Sequence, residues 1–122
     1  MSIEAHSLAV ETMAQGEARL RAGDVAGARR LFEAAVELEV KALSTIPEDR
    51  IRTRSVIAVS AASLYARALK DWAAVNLAAQ YLANPELPED VRRDLVDLIV
   101  SSERHRELGP GAHQPWSPSS LT

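Results

Sequence analysis

Arg52, Ser60, Ser63 and Arg67 are the residues of this chain whose types and spacing best suit ligand chemistry. On a helix advancing about 100° per residue they fall within about a quarter of the circumference, with Thr53 at the edge. The run that carries them, SVIAVSAASLYARAL, is apolar almost all the way round, and a helix of that kind is sandwiched between neighbours. A narrow polar strip on it has two readings. Two arginines along the strip would grip the carboxylates of a peptide by forked hydrogen bonds. Alternatively, the strip is the wet edge of a buried helix, with its serines bonded back to the backbone. Thr12, Gln15 and Arg19, near the start of the chain, are further candidates for the same peptide-binding surface.

Other site chemistries find no support in the residues. His6, His105 and His113 are scattered, without the four-residue helical spacing and intervening Glu of a hydrolytic zinc site. Surface positions explain all three. Arg104, His105 and Arg106 make a basic helix end that suits the negative pole of the helix dipole. The carboxylates fall on exposed helical faces or in first turns, whereas general acid–base work needs a pair held together in a tuned environment. There is no Gly-rich phosphate loop, no Gly-x-Ser-x-Gly elbow, and no arginine–histidine spacing like that of small helical ribonucleases. The absence of cysteine excludes disulfides and thiolate metal sites. The sequence therefore predicts no catalytic residue, no metal ligand and no cofactor.

Bulk properties narrow the class further. At 122 residues the chain has room for one core. A net charge of −3 argues against a broad nucleic-acid surface, which needs a basic excess. Aromatics are only 4% of residues, so the core must come from Ala, Leu, Val and Ile, and helices lined by Ala approach closely. No apolar run approaches the roughly 20 residues that cross a bilayer. The start, MSIEAHSLAVETMAQ, lacks the basic and apolar regions of a secretion signal. A cytoplasmic protein without membrane contact is the expectation.

The elements that must position these residues are helices; no segment shows strand alternation. The first is expected from about Ile3 to Ala22, with Leu8, Ala9, Met13, Gly16 and Leu20 on one face. Gly16 weakens a helix interior by about 1 kcal/mol relative to Ala, and close contact with the next helix would compensate. Gly23 and Asp24 supply a left-handed stop and a cap for the second helix, about 25 to 43 or 46, which buries Ala28, Leu31, Phe32, Ala35, Leu38 and Leu43. Pro47 ends it and opens a third, central helix, about 48–69. Asp71 caps a fourth, about 72–83, with Trp72, Val75, Ala79 and Leu82 as its core stripe. Pro88 opens a fifth, about 88–108, whose Arg92, Arg93, Asp94 and Asp97 face water. The closing stretch, 109–122, is rich in Pro, Ser and Gly and is expected to be a mobile tail. Trp116 within it is a candidate docking motif.

Gly16, the Gly23–Asp24 turn, Ala28, Phe32 and Ala35 resemble a tetratricopeptide repeat, a helix–turn–helix unit of about 34 residues. Thr12, Gln15 and Arg19 stand where the family carries large residues. A poorer second copy has Asp71-Trp72 at its turn, Lys70 in place of glycine, and Val75, Ala79 and Leu82 for the small–aromatic–small series. The fifth helix looks like the solvating helix that closes such arrays, and the likeness covers residues 3–108. The chain is also similar to small bacterial helical-repeat proteins with a Ser-Ala-Ala-Ser-Leu central helix. The resemblance implies an all-α fold of about five antiparallel helices, two stacked hairpins plus a capping helix. It implies an adaptor or regulatory subunit binding a peptide or helix of another protein in a short concave groove. A homodimer would lengthen that groove. Two other readings stay open: a neutralising partner of a toxin or defence effector, and a small helical ligand-binding or enzymatic bundle.

Overall fold

Residues 3–108 are described in the computed structural model of the chain; the tail with Trp116 lies outside them. Five helices follow one another: α1 (Ile3–Arg21), α2 (Val25–Ser44), α3 (Ile51–Arg67), α4 (Asp71–Leu82) and α5 (Glu89–Leu108). The fold is all-α, and among the described residues there is no strand. None of these helices is long and apolar enough to cross a membrane.

The α1–α2 turn forms as its residues dictate. Gly23 takes φ +86°, and the N–H groups of Gly23 and Asp24 donate to Leu20 and Arg19 carbonyls at 3.0 and 2.9 Å. That pairing satisfies acceptors left over at the helix end. Asp24 then caps α2, its Oδ1 accepting from Gly27 N at 2.9 Å.

The α3–α4 turn has the same hydrogen bonds from different residues. Leu69 N donates to Ala66 O at 3.0 Å and Lys70 N to Tyr65 O at 2.8 Å. The left-handed residue is therefore Leu69, at φ +63°, and not Lys70. Lys70 occupies the cap position of α4 with no side-chain acceptor to offer.

This one-residue difference corrects the expected face of α4. A shift of one position rotates a helix by about 100°. The buried residues are Asp71, Ala74 and Ala78, with Leu77, Tyr81 and Leu82 packed at the edges of the core. Trp72, expected inside, is 68% exposed.

Alpha3 also begins later than expected. Arg50 N donates to Pro47 O at 3.1 Å, which closes a separate turn before the helix starts at Ile51. Two arginines finish the open helix ends. Arg54 donates to the carbonyls of Leu43 and Ile46 at 3.1 and 2.6 Å and to the Tyr81 hydroxyl at 3.2 Å. Arg92 serves α4 likewise, through the carbonyls of Leu82 and Asn84 at 3.1 and 2.8 Å.

These contacts fix helix directions. The start of α1 meets the end of α2 through His6 and Glu39, so the two run antiparallel. Arg29 reaches Ala68 O, which sets α2 against α3. Arg54 with Tyr81 does the same for α3 and α4, and Asp71 with His105 for α4 and α5. Alpha3 is central, as its apolar composition predicts: Ala61, Leu64 and Ala68 just past its end pack with α2, while Val59, Ala62 and Ala66 pack with α4 and α5. Gly16 lies against the Phe32 ring so closely that an added Cβ would sit 2.7 Å from it. The outer side of α5 is less polar than expected: Val96 and Val100 are exposed there, while Asp94 is buried.

Candidate functional site

The two arginines of the expected peptide grip each pair with a carboxylate of the chain itself. Arg52 Nη1 lies 2.7 Å from Asp90 Oδ1, and this hydrogen bond holds the Asp90 carboxyl below its ordinary range and raises Arg52. Arg67 Nη1 lies 2.7 Å from Glu17 Oε1, and its guanidinium stacks over Phe32 at 5.5 Å from the ring centre. Ser63 is buried and Ser60 half-buried. Both guanidinium groups are thus engaged by the chain's own carboxylates, and the strip is no open line of donors.

Nor do the α1 candidates join that strip. Glu17 reaches α3 from α1, and Thr12, Gln15 and Arg19 stand roughly 140–200° from it around the helix. Thr12 Oγ1 donates to Leu8 O at 2.7 Å, and Arg19 pairs with Asp24 at 3.3 Å. The structure separates the two groups of residues that the sequence suggested for one surface.

Two histidines do not lie loose on the surface. His6 Nδ1 is 2.7 Å from Glu39 Oε1, and Glu39 is fully buried. His105 Nδ1 is 2.7 Å from Asp71 Oδ2, and both residues are buried. The pairs span 33 and 34 residues, so no local motif announces them. A usable signal existed: Glu39 continues the Phe32–Ala35–Val36 stripe, and His105 continues Val91–Leu95–Leu98–Ser102. An imidazole held by a carboxylate is general-base chemistry when a substrate can reach it. The Asp71–His105 pair is enclosed between α4 and α5, where it fastens the first turn of one helix to the last turns of the other.

Large apolar side chains also stand at the surface. Leu69 and Trp72 stand three residues apart at the α3–α4 turn, 42% and 68% exposed. A left-handed backbone costs a residue with a side chain roughly 1–2 kcal/mol relative to glycine. Leu69 carries that strain while much of its side chain remains exposed. This turn is the candidate site: a leucine and a tryptophan on a rigid, hydrogen-bonded turn, able to fill pockets on another protein. Among the described residues no cluster of acidic or histidine groups could hold a metal ion. No family model, curated protein or solved structure matches the chain.

Proposed function

We propose that this chain is a non-catalytic protein–protein interaction module, an adaptor or regulatory subunit that docks a partner protein through the Leu69–Trp72 edge. The carrying observation is Leu69: a leucine in a left-handed backbone that glycine adopts without steric cost, with its side chain still 42% exposed. Strain of this kind persists where something outside the local packing makes use of it. Trp72 adds the residue type most enriched among binding hot spots. The turn is held by backbone bonds to Ala66 and Tyr65, so little ordering entropy opposes docking.

The architecture that accompanies this reading is two tetratricopeptide-like hairpins and a capping helix. Superposing the turns by their left-handed residues supports it: Gly16, Ala28 and Phe32 then correspond to Ala62, Ala74 and Ala78, and all six are buried.

A neutralising partner of a toxin or effector is the second reading. The same internal pairing of Arg52 and Arg67 favours it over peptide capture, because masking a surface needs no groove. Pull-down from the native host with three forms of the chain tests the proposal. A stoichiometric protein should be retained by the native chain and by Arg52→Ala/Arg67→Ala, and lost with Trp72→Ala. Retention that ignores Trp72→Ala but fails with the arginine pair would reinstate the groove.

A further inference from the structure

We propose that the end of the bundle carrying the α1–α2 and α3–α4 turns docks an acidic segment of the partner protein, anchored by apolar side chains. The inference rests on the Leu69–Trp72 reading and adds the chemistry of what docks there. Arg29 Nε donates to Ala68 O at 3.1 Å, which sets the start of α2 beside the α3–α4 turn. Arg67 with Glu17 draws in the end of α1, and His105 with Asp71 the end of α5. Leu20 and Val25, flanking the first turn, are 41% and 64% exposed, so this end carries more apolar surface than the Leu69–Trp72 edge alone. At the opposite end, the connecting residues Ile46 and Leu87 are buried.

Charge selects the occupant. Among the described side chains, the carboxylates at this end are engaged: Glu17 by Arg67, Asp24 by Arg19, Glu33 by Arg29 and Asp71 by His105. Glu103 also has an interaction within the chain. Arg21, Lys70 and Arg104 are exposed, and none of the three pairs with a carboxylate among the described residues. The surplus is cationic. Arg21 and Arg104 lie near helix C-termini, where the dipole suits a cation. Lys70 does not share that reason. It precedes the first turn of α4, where the dipole favours an anion, and its side chain makes no cap. Leu69 and Lys70 are thus both poor local choices for the turn they form, and an acidic partner with apolar side chains makes use of both.

Exposed ion pairs contribute little singly and act mainly on approach and on the choice between partners. The apolar residues accordingly supply the hold, and the cations discriminate an acidic segment from a basic one.

Fluorescence anisotropy with the full chain and two labelled probes tests this. One probe is a peptide of Leu and Glu at helical spacing, about 20 residues long; the other has Lys for every Glu. The acidic probe should bind at least about tenfold tighter than the basic one. Lys70→Glu should weaken the acidic probe at least about fivefold with no loss of fold stability, because an acid suits the start of α4. Lys41→Glu, the same change of charge in the last turn of α2 at the far end, should leave affinity within about twofold. Equal affinity for the two probes, or equal losses from Lys70→Glu and Lys41→Glu, would overturn the inference. If Trp72→Ala still releases both probes in that case, the Leu69–Trp72 reading survives the failure. Binding of neither probe would also overturn it, and sedimentation of the chain with phosphatidylserine vesicles would then make this end a membrane contact.

Discussion

The two interhelical turns of this protein share one set of backbone hydrogen bonds and differ in almost every side chain. The first has Gly23 in the left-handed position and Asp24 as a working cap. The second has Leu69 and Lys70 in those places, with the same left-handed sign and no side-chain cap. Beyond the turns the contrast continues. Gly16 faces the Phe32 ring in the first hairpin, whereas Ala62 and Ala78 stand at the corresponding positions of the second, both fully buried. Glycine against phenylalanine and alanine with alanine are two ways of filling a close helix crossing. The comparison teaches that the first turn is built for folding, and that the second accepts poorer local residues and leaves large apolar ones in water.

The largest effect should come from the close crossing. Gly16→Ala puts a methyl group 2.7 Å from the Phe32 ring, and displacing a packed ring should lower unfolding free energy by about 1–3 kcal/mol, read by urea denaturation. Ala62→Gly, its counterpart, opens no clash and should cost about 1 kcal/mol through helix propensity and lost packing. Equal losses at the two positions would erase the difference between the hairpins.

Next come the caps. Asp24→Ala removes the bond to Gly27 N and should cost about 1 kcal/mol. The backbone at Lys70, φ −101° and ψ 62°, is close to that at Asp24, φ −87° and ψ 77°. Lys70→Asp should therefore add a cap to α4 and raise stability by about 0.5–1 kcal/mol in the same assay. A loss on Lys70→Asp would show that the two cap positions are not equivalent.

The smallest effect concerns pH. Asp90, hydrogen-bonded by Arg52, has its carboxyl lowered in the folded chain. A lowered carboxyl adds stability that is present above its ordinary range and is lost as acid protonates the folded group. Asp90→Asn should thus leave the alkaline side of the stability–pH curve with a small loss and flatten its acid limb slightly. The pair is exposed, which keeps the effect small.

Much of this fold was legible in the chain. Proline and glycine punctuation gave five helices, the apolar run of α3 gave its central place, and Gly16 gave the close crossing. The face of α4 was lost to one residue. Glycine is the expected left-handed stop, and with none present the sequence pattern places the turn at Lys70, one residue past Leu69. That step turned Trp72 inward on paper and outward in the molecule. The partners of the two arginines stayed hidden for another reason: Glu17 lies 50 residues from Arg67, and Asp90 lies 38 from Arg52. Partners so far apart are joined only by tertiary packing. Surplus carboxylates in the sequence left any arginine a choice of partners, and helical periodicity alone cannot choose among them.

Leu69→Gly bears most directly on the idea that the second turn keeps its leucine for docking. Denaturation and partner retention should be measured on the same preparations of native and variant chain. Relief of the left-handed strain should make the variant more stable by about 1 kcal/mol, while the retained partner protein is lost. A variant that is less stable, or that keeps its partner in full, would contradict the account.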